Sequence, residues 1–148
     1  MSNKFNRYLC CKSLSPEELA TFHSLCFKNA ENTFSKKSMY QFLINSNYRI
    51  LYSKFCLGIT QVALTEAEIL TVAVLPAYQN QGIGKTLVND ILLDLSSHGI
   101  EKVFLEVASN NISAISIYNS YGFTSCRIRK NYYRTENLDA IQMSTSLQ

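Results

Sequence analysis

The sequence contains no apolar run of membrane-spanning length, no CxxC pair, no histidine at metal-ligand spacing and no long block of charge of one sign. Each absence removes a class of protein. A transmembrane helix needs a longer apolar stretch than any present. The start, Met1 to Cys10, carries Lys4, Arg7 and asparagines where a secretory leader needs an apolar centre. The five cysteines, Cys10, Cys11, Cys26, Cys56 and Cys126, are odd in number and irregularly spaced. That argues for reduced thiols and against a disulfide framework or a zinc site. A cytoplasmic protein without membrane association is the expectation. Lysine and arginine number 14 against 11 acidic residues, a net charge of +3. The densest basic cluster, Arg127, Arg129 and Lys130, is short and reads as a solvated strand edge, so no direct nucleic-acid binding is expected.

What is present is an ordinary globular composition. A chain of 148 residues, 47% hydrophobic and 17% charged, can bury a core without staples, and residues 1–148 are read as a single domain. No repeat, linker or low-complexity segment interrupts it.

Ser15-Pro16-Glu17-Glu18 combines a serine cap, a proline at the first helical position and a glutamate three residues after the cap. This predicts a helix start, because it satisfies amides that have no partner within the helix. Leu19, Phe22, Leu25 and Cys26 follow at helical spacing, and a second short helix from about Lys36 carries Met39, Phe42 and Leu43. From Tyr48 the period shortens toward two, predicting strands over Arg49 to Tyr52 and Phe55 to Leu64, with turns at Ser53-Lys54 and Thr65-Glu66. Glu68 to Val74 reads as a central strand that Leu75-Pro76 stops. After Gln81-Gly82-Ile83-Gly84, residues Ile83, Leu87, Val88, Ile91, Leu92 and Leu95 form an amphipathic stripe closed by His98-Gly99. Lys102 to Ala108 reads as a strand and Asn111 to Tyr121 as a short helix ended by Gly122. Thr124 to Tyr133 and Leu138 to Thr145 read as a closing hairpin.

A glycine turn between a strand and a helix exposes backbone N–H groups at the positive end of the helix dipole, which suits a phosphate. Glycine alone is weak evidence for this, and without further context it reads rather as a plain strand-to-helix turn. Gly84-Lys85-Thr86 imitates the end of a Walker A loop, but that motif needs glycine five residues earlier, where Gln79 stands. The dinucleotide fingerprint needs a third glycine at Leu87, and no acidic residue ends the next strand.

Gln79-Asn80-Gln81-Gly82-Ile83-Gly84, preceded by Leu70-Thr71-Val72-Ala73-Val74 and Pro76-Ala77-Tyr78, resembles the Q/R-x-x-G-x-G/A loop of the GNAT acetyltransferases. The likeness continues through Leu105-Glu106-Val107, Asn110-Asn111, Ala114, Ile117-Tyr118 and Tyr121-Gly122-Phe123. Together with Gly58-Ile59-Thr60-Gln61 and Arg129-Lys130-Asn131-Tyr132-Tyr133, it resembles the ribosomal-protein-alanine N-acetyltransferase (RimI-type) branch. The first forty residues add little to it. The resemblance implies an α/β fold with a mixed, mostly antiparallel sheet flanked by helices. It further implies acetyl-coenzyme A as cosubstrate and no metal. The pyrophosphate would lie on the loop from Gln79 through Asn80, Gln81, Gly82, Ile83 and Gly84 to Lys85, and the pantetheine arm along Val72, Ala73 and Val74. Asn111 would touch the cofactor, with helix capping as its ordinary alternative.

Glu106 is the one carboxylate inside Val103 to Ala108, and partial burial there would favour its neutral form and suit it to base catalysis. On the residues alone this weighs evenly against a carboxylate pointing off the strand end into water; the resemblance implies the general base. Tyr118, otherwise an ordinary core-facing aromatic, takes from the resemblance the role of hydrogen-bond or proton donor to the leaving thiolate. Tyr132 and Tyr133 match peptide-gripping tyrosines, with exposed hairpin aromatics as the equal alternative. The implied reaction is direct transfer in a ternary complex with no acyl-cysteine, the acceptor being a protein N-terminus, in this branch the N-terminal alanine of a ribosomal protein. The alternatives are a lysine or small-amine acetyltransferase of the same fold and a non-catalytic acyl-coenzyme A module. Relatives of that branch carry a Pro-Trp pair where this chain has Phe27 to Phe34, and the chain has 0 tryptophans, so the likeness is weaker on the acceptor side.

Overall fold

The computed structural model describes residues 8–10, 13–28 and 32–148; readings that rest on Met1–Arg7, Cys11 or residues 29–31 lie outside them. In chain order the described elements are α1 (Pro16–Cys26), α2 (Lys36–Ile44), β1 (Tyr48–Tyr52), β2 (Cys56–Ala63), β3 (Glu66–Val74), α3 (Ile83–Ser97), β4 (Lys102–Ala108), α4 (Ile112–Ser120), β5 (Thr124–Tyr133) and β6 (Leu138–Ser146).

The helix starts are local chemistry. The Ser15 side chain accepts from the Glu18 N–H while the Glu18 carboxylate accepts from the Ser15 N–H, a complete capping box behind Pro16. Ser35 caps α2 and Asn111 caps α4 through side-chain oxygens. Helix α3 differs, for its cap is Gly82 at φ +81° and no side chain closes its first turn.

The strands form one sheet in the order β1-β2-β3-β4-β6-β5. All neighbours are antiparallel except β3 and β4, which run parallel. This is the mixed, mostly antiparallel sheet expected. The β2–β3 turn centres on Leu64-Thr65, with Leu64 at φ 56°, one residue earlier than expected, so β3 begins at Glu66. Strand β2 is buried from Cys56 to Thr60 because helices cover both of its faces. Stripe residues of α3, with Tyr118 and Phe123, pack against Ala67, Ile69, Val103, Leu105 and Val107 on one face. Leu19, Phe22, Met39 and Phe42 cover Leu57, Ile59 and Ala73 on the other.

Two local features break the regular pattern. In β3, Leu70 has no partner on β2, since Ile59 pairs Thr71 and Thr60 pairs Ile69. This bulge bends the strand, and the pairing between β3 and β4 ends at Ile69 and Leu105. Beyond that point β4 stays paired to β6 through Ala108, while the β3 edge from Leu70 to Val74 lies open.

The second feature is a correction to the reading of α1. Leu25, expected in the apolar stripe, is 61% exposed, and His23 is fully buried instead. Its ring packs against those of Phe27 and Phe34, with centroid distances of 4.7 and 5.0 Å. The Phe34 N–H donates to Nδ1 at 3.3 Å and Nε2 meets the Thr71 hydroxyl at 2.9 Å, so both ring nitrogens are satisfied without charge.

Burial pushes the His23 pKa down from 6.5 to about 4. Between those values the unfolded chain binds the extra proton, so stability is complete above the upper value and falls as pH drops toward the lower one. The fall expected from this residue is about 3 kcal/mol. Urea unfolding at stepped pH should show that slope in the wild type and lose it in His23→Leu; equal slopes would contradict the assignment.

Candidate active site

Where β3 and β4 part, two cavities open, of about 780 and 530 Å³. Both lie in the size range of small-molecule sites. Phe27, Val72, Asn111 and Tyr118 line both, so the cavities meet at the gap in the sheet.

The smaller cavity runs from the open β3 edge to the mouth of α3 and is lined by Val72, Ala73, Val74, Gln79, Asn80, Gly82, Gly84 and Lys85. A one-turn 3-10 helix over Pro76–Tyr78 carries the chain out of β3. Asn80 at φ 60° and Gly82 at φ +81° then turn it into α3, a left-handed region that glycine enters without cost. A Cβ built on Gly84 would sit 3.7 Å from Val74 and 3.8 Å from Ile117, so a larger side chain would fill the cleft between them. The first turn of α3 carries no acidic residue and no side-chain cap, yet it holds Lys85. A lysine is unfavourable beside the positive end of a helix dipole unless an anion sits there, and the uncapped amides call for the same partner.

Gln81 and Ile83 do not line the cavity. Gln79 Nε2 donates to the Val74 carbonyl at 3.1 Å and Gln81 Nε2 to the Ala77 carbonyl at 3.2 Å, so both glutamines brace the loop. The Ile83 side chain is buried in the core at 1% exposure, leaving its backbone N–H as the group it could offer a ligand.

The larger cavity brings together Glu106, Tyr118, Tyr132, Tyr133 and Asn111, along with Phe27, Phe34, Thr71, Glu68 and Glu136. The Glu106 side chain is 18% exposed, and Arg129 Nη1 donates to its Oε1 at 2.7 Å. It therefore does not point freely into water. The Arg129 guanidinium also lies 4.3 Å from the Tyr132 ring centroid, a cation–π contact, and Tyr132 meets Tyr133 edge-on. Strand β5 is exposed over nearly its whole length, as the solvated-edge reading expects. Arg129 nonetheless reaches across from that edge to β4, a contact that strand periodicity does not reveal.

Tyr118 is 8% exposed. Burial, with the Tyr133 phenol nearby, pushes its pKa up to about 12, so it keeps its proton at neutral pH. Burial also raises the Tyr133 pKa, as do the charges of Glu106, Tyr132 and Glu136. Asn111 caps α4, its Oδ1 accepting from the Ala114 N–H at 3.2 Å, and it also lines both cavities. Glu68 was not anticipated as a site residue. It pairs with Phe104 in the parallel register, so it shares a face of the sheet with Glu106 two residues further along β4. Burial and the Glu106 charge raise its pKa, while Arg129 lowers it. The described cysteines, Cys10, Cys26, Cys56 and Cys126, are free thiols; none lines the larger cavity, and of them Cys26 alone lines the smaller. No metal-holding group of histidine, cysteine and acidic residues occurs among the described residues, and none of their helices is long and apolar enough to cross a membrane.

The model of the acetyltransferase (GNAT) family matches residues 19–123. The chain is 43% identical over 89 residues to the [ribosomal protein bS18]-alanine N-acetyltransferase of Escherichia coli strain K12, covering 59% of this chain and 60% of that protein. It is 40% identical over 89 residues to the N-alpha-acetyltransferase RimI of Mycobacterium tuberculosis, covering 58% and 54%. The matched stretch thus spans less than two thirds of either relative. The crystal structure of the ribosomal-protein-S18-alanine N-acetyltransferase from Escherichia coli superposes with a TM-score of 0.81 at 30% identity, over 95% of this chain and 92% of that one.

The two carboxylates and the guanidinium between β3, β4 and β5 give a direct test of the cleft's electrostatics. Carbon-13 NMR titration should find Glu68 titrating above its ordinary value of 4.5, and Arg129→Met should raise it further by removing the favourable cation. A value that stays put or drops in that variant would show that Arg129 does not reach this pair.

Proposed function

Because the chain belongs to the GNAT acetyltransferase family, its matched residues 19–123 spanning most of its length, we propose that it transfers an acetyl group from acetyl-coenzyme A to the α-amino group of a protein N-terminus. The favoured acceptor is the N-terminal alanine of ribosomal protein S18, the substrate in the names of its relatives. The observation that carries the reading is the breach between β3 and β4. It joins an anion-ready cradle to a carboxylate-bearing cavity, with Tyr118 at the junction.

The residues of the smaller cavity fit coenzyme A. The uncapped amides from Gly82 to Lys85 and the Lys85 ammonium would hold its diphosphate, and the Val72–Val74 edge would pair with the amides of its pantetheine arm. When bound, acetyl-coenzyme A supplies an acyl thioester open to attack by a neutral amine. Everything else falls to the protein. Glu106 takes up the ammonium proton of the acceptor, directly or through water, with Arg129 fixing the carboxylate's orientation. Tyr118, which keeps its O–H through neutral pH, donates a hydrogen bond toward the departing sulfur. Asn111 orients the turn between the cavities while capping α4. Tyr132 and Tyr133 grip the acceptor's first residues. The larger cavity is walled by Phe27, Phe34 and these tyrosines and carries Glu68, Glu106 and Glu136, which suits an extended peptide with a positively charged terminus. An α-amino group, with a reference pKa of about 7.7 to 8.0, reaches its neutral form far more easily than a lysine at about 10.4. The chemistry therefore favours N-termini over internal lysines.

A peptide beginning with alanine should be acetylated at its N-terminus, and the same peptide with a blocked terminus and an internal lysine should not. Mass spectrometry of the products separates the two. Glu106→Gln should lower kcat by about 10²–10⁴-fold with coenzyme A affinity nearly unchanged, and Tyr118→Phe should lower kcat as well. Wild-type turnover in Glu106→Gln across the pH range would remove that residue from the mechanism.

A further inference from the structure

His23 touches neither cavity, yet it is fully buried and each of its ring nitrogens is committed. A leucine would fill the same space without the cost of burying polar atoms, about 1–3 kcal/mol for each that goes unsatisfied. What leucine lacks is the capacity to link distant groups. Since Nδ1 accepts the Phe34 N–H, the ring proton resides on Nε2 and is donated to Thr71 Oγ1. The tautomer is thus set by the main chain, and the ring is aimed at one hydroxyl.

The groups this imidazole gathers all belong to the peptide-facing cavity. Phe27 and Phe34 pack on it as tilted rings with centroids at 4.7 and 5.0 Å, and both line that cavity together with Thr71. Thr71 is the first paired residue after the Leu70 bulge, and its neighbour Val72 lines both cavities, as Phe27 does. The Tyr132 and Tyr133 side of the cavity comes from another part of the chain, the end of β5. The imidazole thus links the phenylalanine wall to the bent strand through hydrogen bonds, beside the apolar packing of Phe27 and Phe34 on the Leu19, Phe22, Met39 and Phe42 cluster.

We infer that His23 is a positioning residue for the acceptor: by clasping Phe27 and Phe34 to Thr71 it sets the wall against which the peptide N-terminus is held opposite Glu106. The role rests on the reading of the larger cavity as the acceptor side, and it concerns acceptor binding, not the chemical step. Phe34 and Thr71 line the larger cavity alone, and Phe27 is the one clasped residue that also lines the smaller, so coenzyme A affinity should change far less than acceptor affinity.

The test uses His23→Leu, Thr71→Val and Thr71→Ser in the full chain at pH 7.5, with an alanine-initiated peptide as acceptor. His23→Leu and Thr71→Val should each raise the peptide KM about tenfold, or about 1.4 kcal/mol. The double variant should do no more than either single one, because both remove the same link. Coenzyme A affinity and kcat at saturating peptide should stay within about twofold of wild type, and Thr71→Ser, which keeps the hydroxyl, should restore the wild-type KM. Hydrogen exchange supplies a readout independent of turnover: the Phe34 amide should exchange faster in His23→Leu and in Thr71→Val. Unchanged peptide KM in both folded variants overturns the inference. So do parallel losses in KM, kcat, coenzyme A affinity and melting temperature, which would mark a purely structural histidine. A wild type that acetylates no peptide would contradict the acetyl-transfer reading, whereas unchanged Phe34 exchange would overturn the clasp whatever the acceptor.

Discussion

The site depends on a hydrogen-bond ladder that stops. Strands β3 and β4 pair only from Glu66–Lys102 to Ile69–Leu105. The unpartnered Leu70 bends β3 at that point while β4 continues in register with β6. An interrupted ladder leaves main-chain N–H and C=O groups without strand partners, a cost the fold tolerates only where water or a ligand satisfies them. Here the interruption makes a breach through an otherwise continuous sheet. Cavities on its two faces share Phe27, Val72, Asn111 and Tyr118. A cofactor entering from the α3 side and an acceptor entering from the other can meet without either crossing the core.

Each half of the site uses a different physical resource. On the proposed reading, the cofactor half would use backbone: the strand edge without a partner, the left-handed Asn80 and Gly82, and the uncapped start of a 15-residue helix with Lys85 in its first turn. The acceptor half would use side chains: two neighbouring carboxylates, a guanidinium that touches both Glu106 and the Tyr132 ring, and a phenol kept protonated by burial. Backbone recognition tolerates sequence change at most positions, whereas the side-chain half depends on residue identity. This matches the sequence reading, in which the loop carried the resemblance while the Phe27 to Phe34 stretch departed from it.

Local chemistry made much of this readable in advance. The Ser15-Pro16-Glu18 start, the stripe of α3, the Asn111 cap and the strands from Lys102 onward are governed by residues within a few positions of one another, and they formed where the spacing placed them. The features that were not legible are long-range. The Arg129–Glu106 pair spans 23 residues and the His23–Thr71 pair 48, and no periodicity encodes such a meeting. The predicted apolar stripe of α1 took in Leu25 and passed over His23, and tertiary packing, with the Phe27 and Phe34 rings against the imidazole, buried the histidine instead. Glu68 read as the polar start of a strand because its neighbour Glu106 arrives from a different segment. The bulge at Leu70 left no mark either, since bulges need no glycine when the extra residue stays in an ordinary conformation.

The central claim is that the open β3 edge and the mouth of α3 together hold coenzyme A, and amide NMR during a coenzyme A titration tests it most directly. The account predicts shifts concentrated at the amides of Val72–Val74 and Asn80–Lys85, saturating at one equivalent. Shifts that never saturate, or that gather on the β5–β6 hairpin and leave the helix mouth untouched, would contradict it.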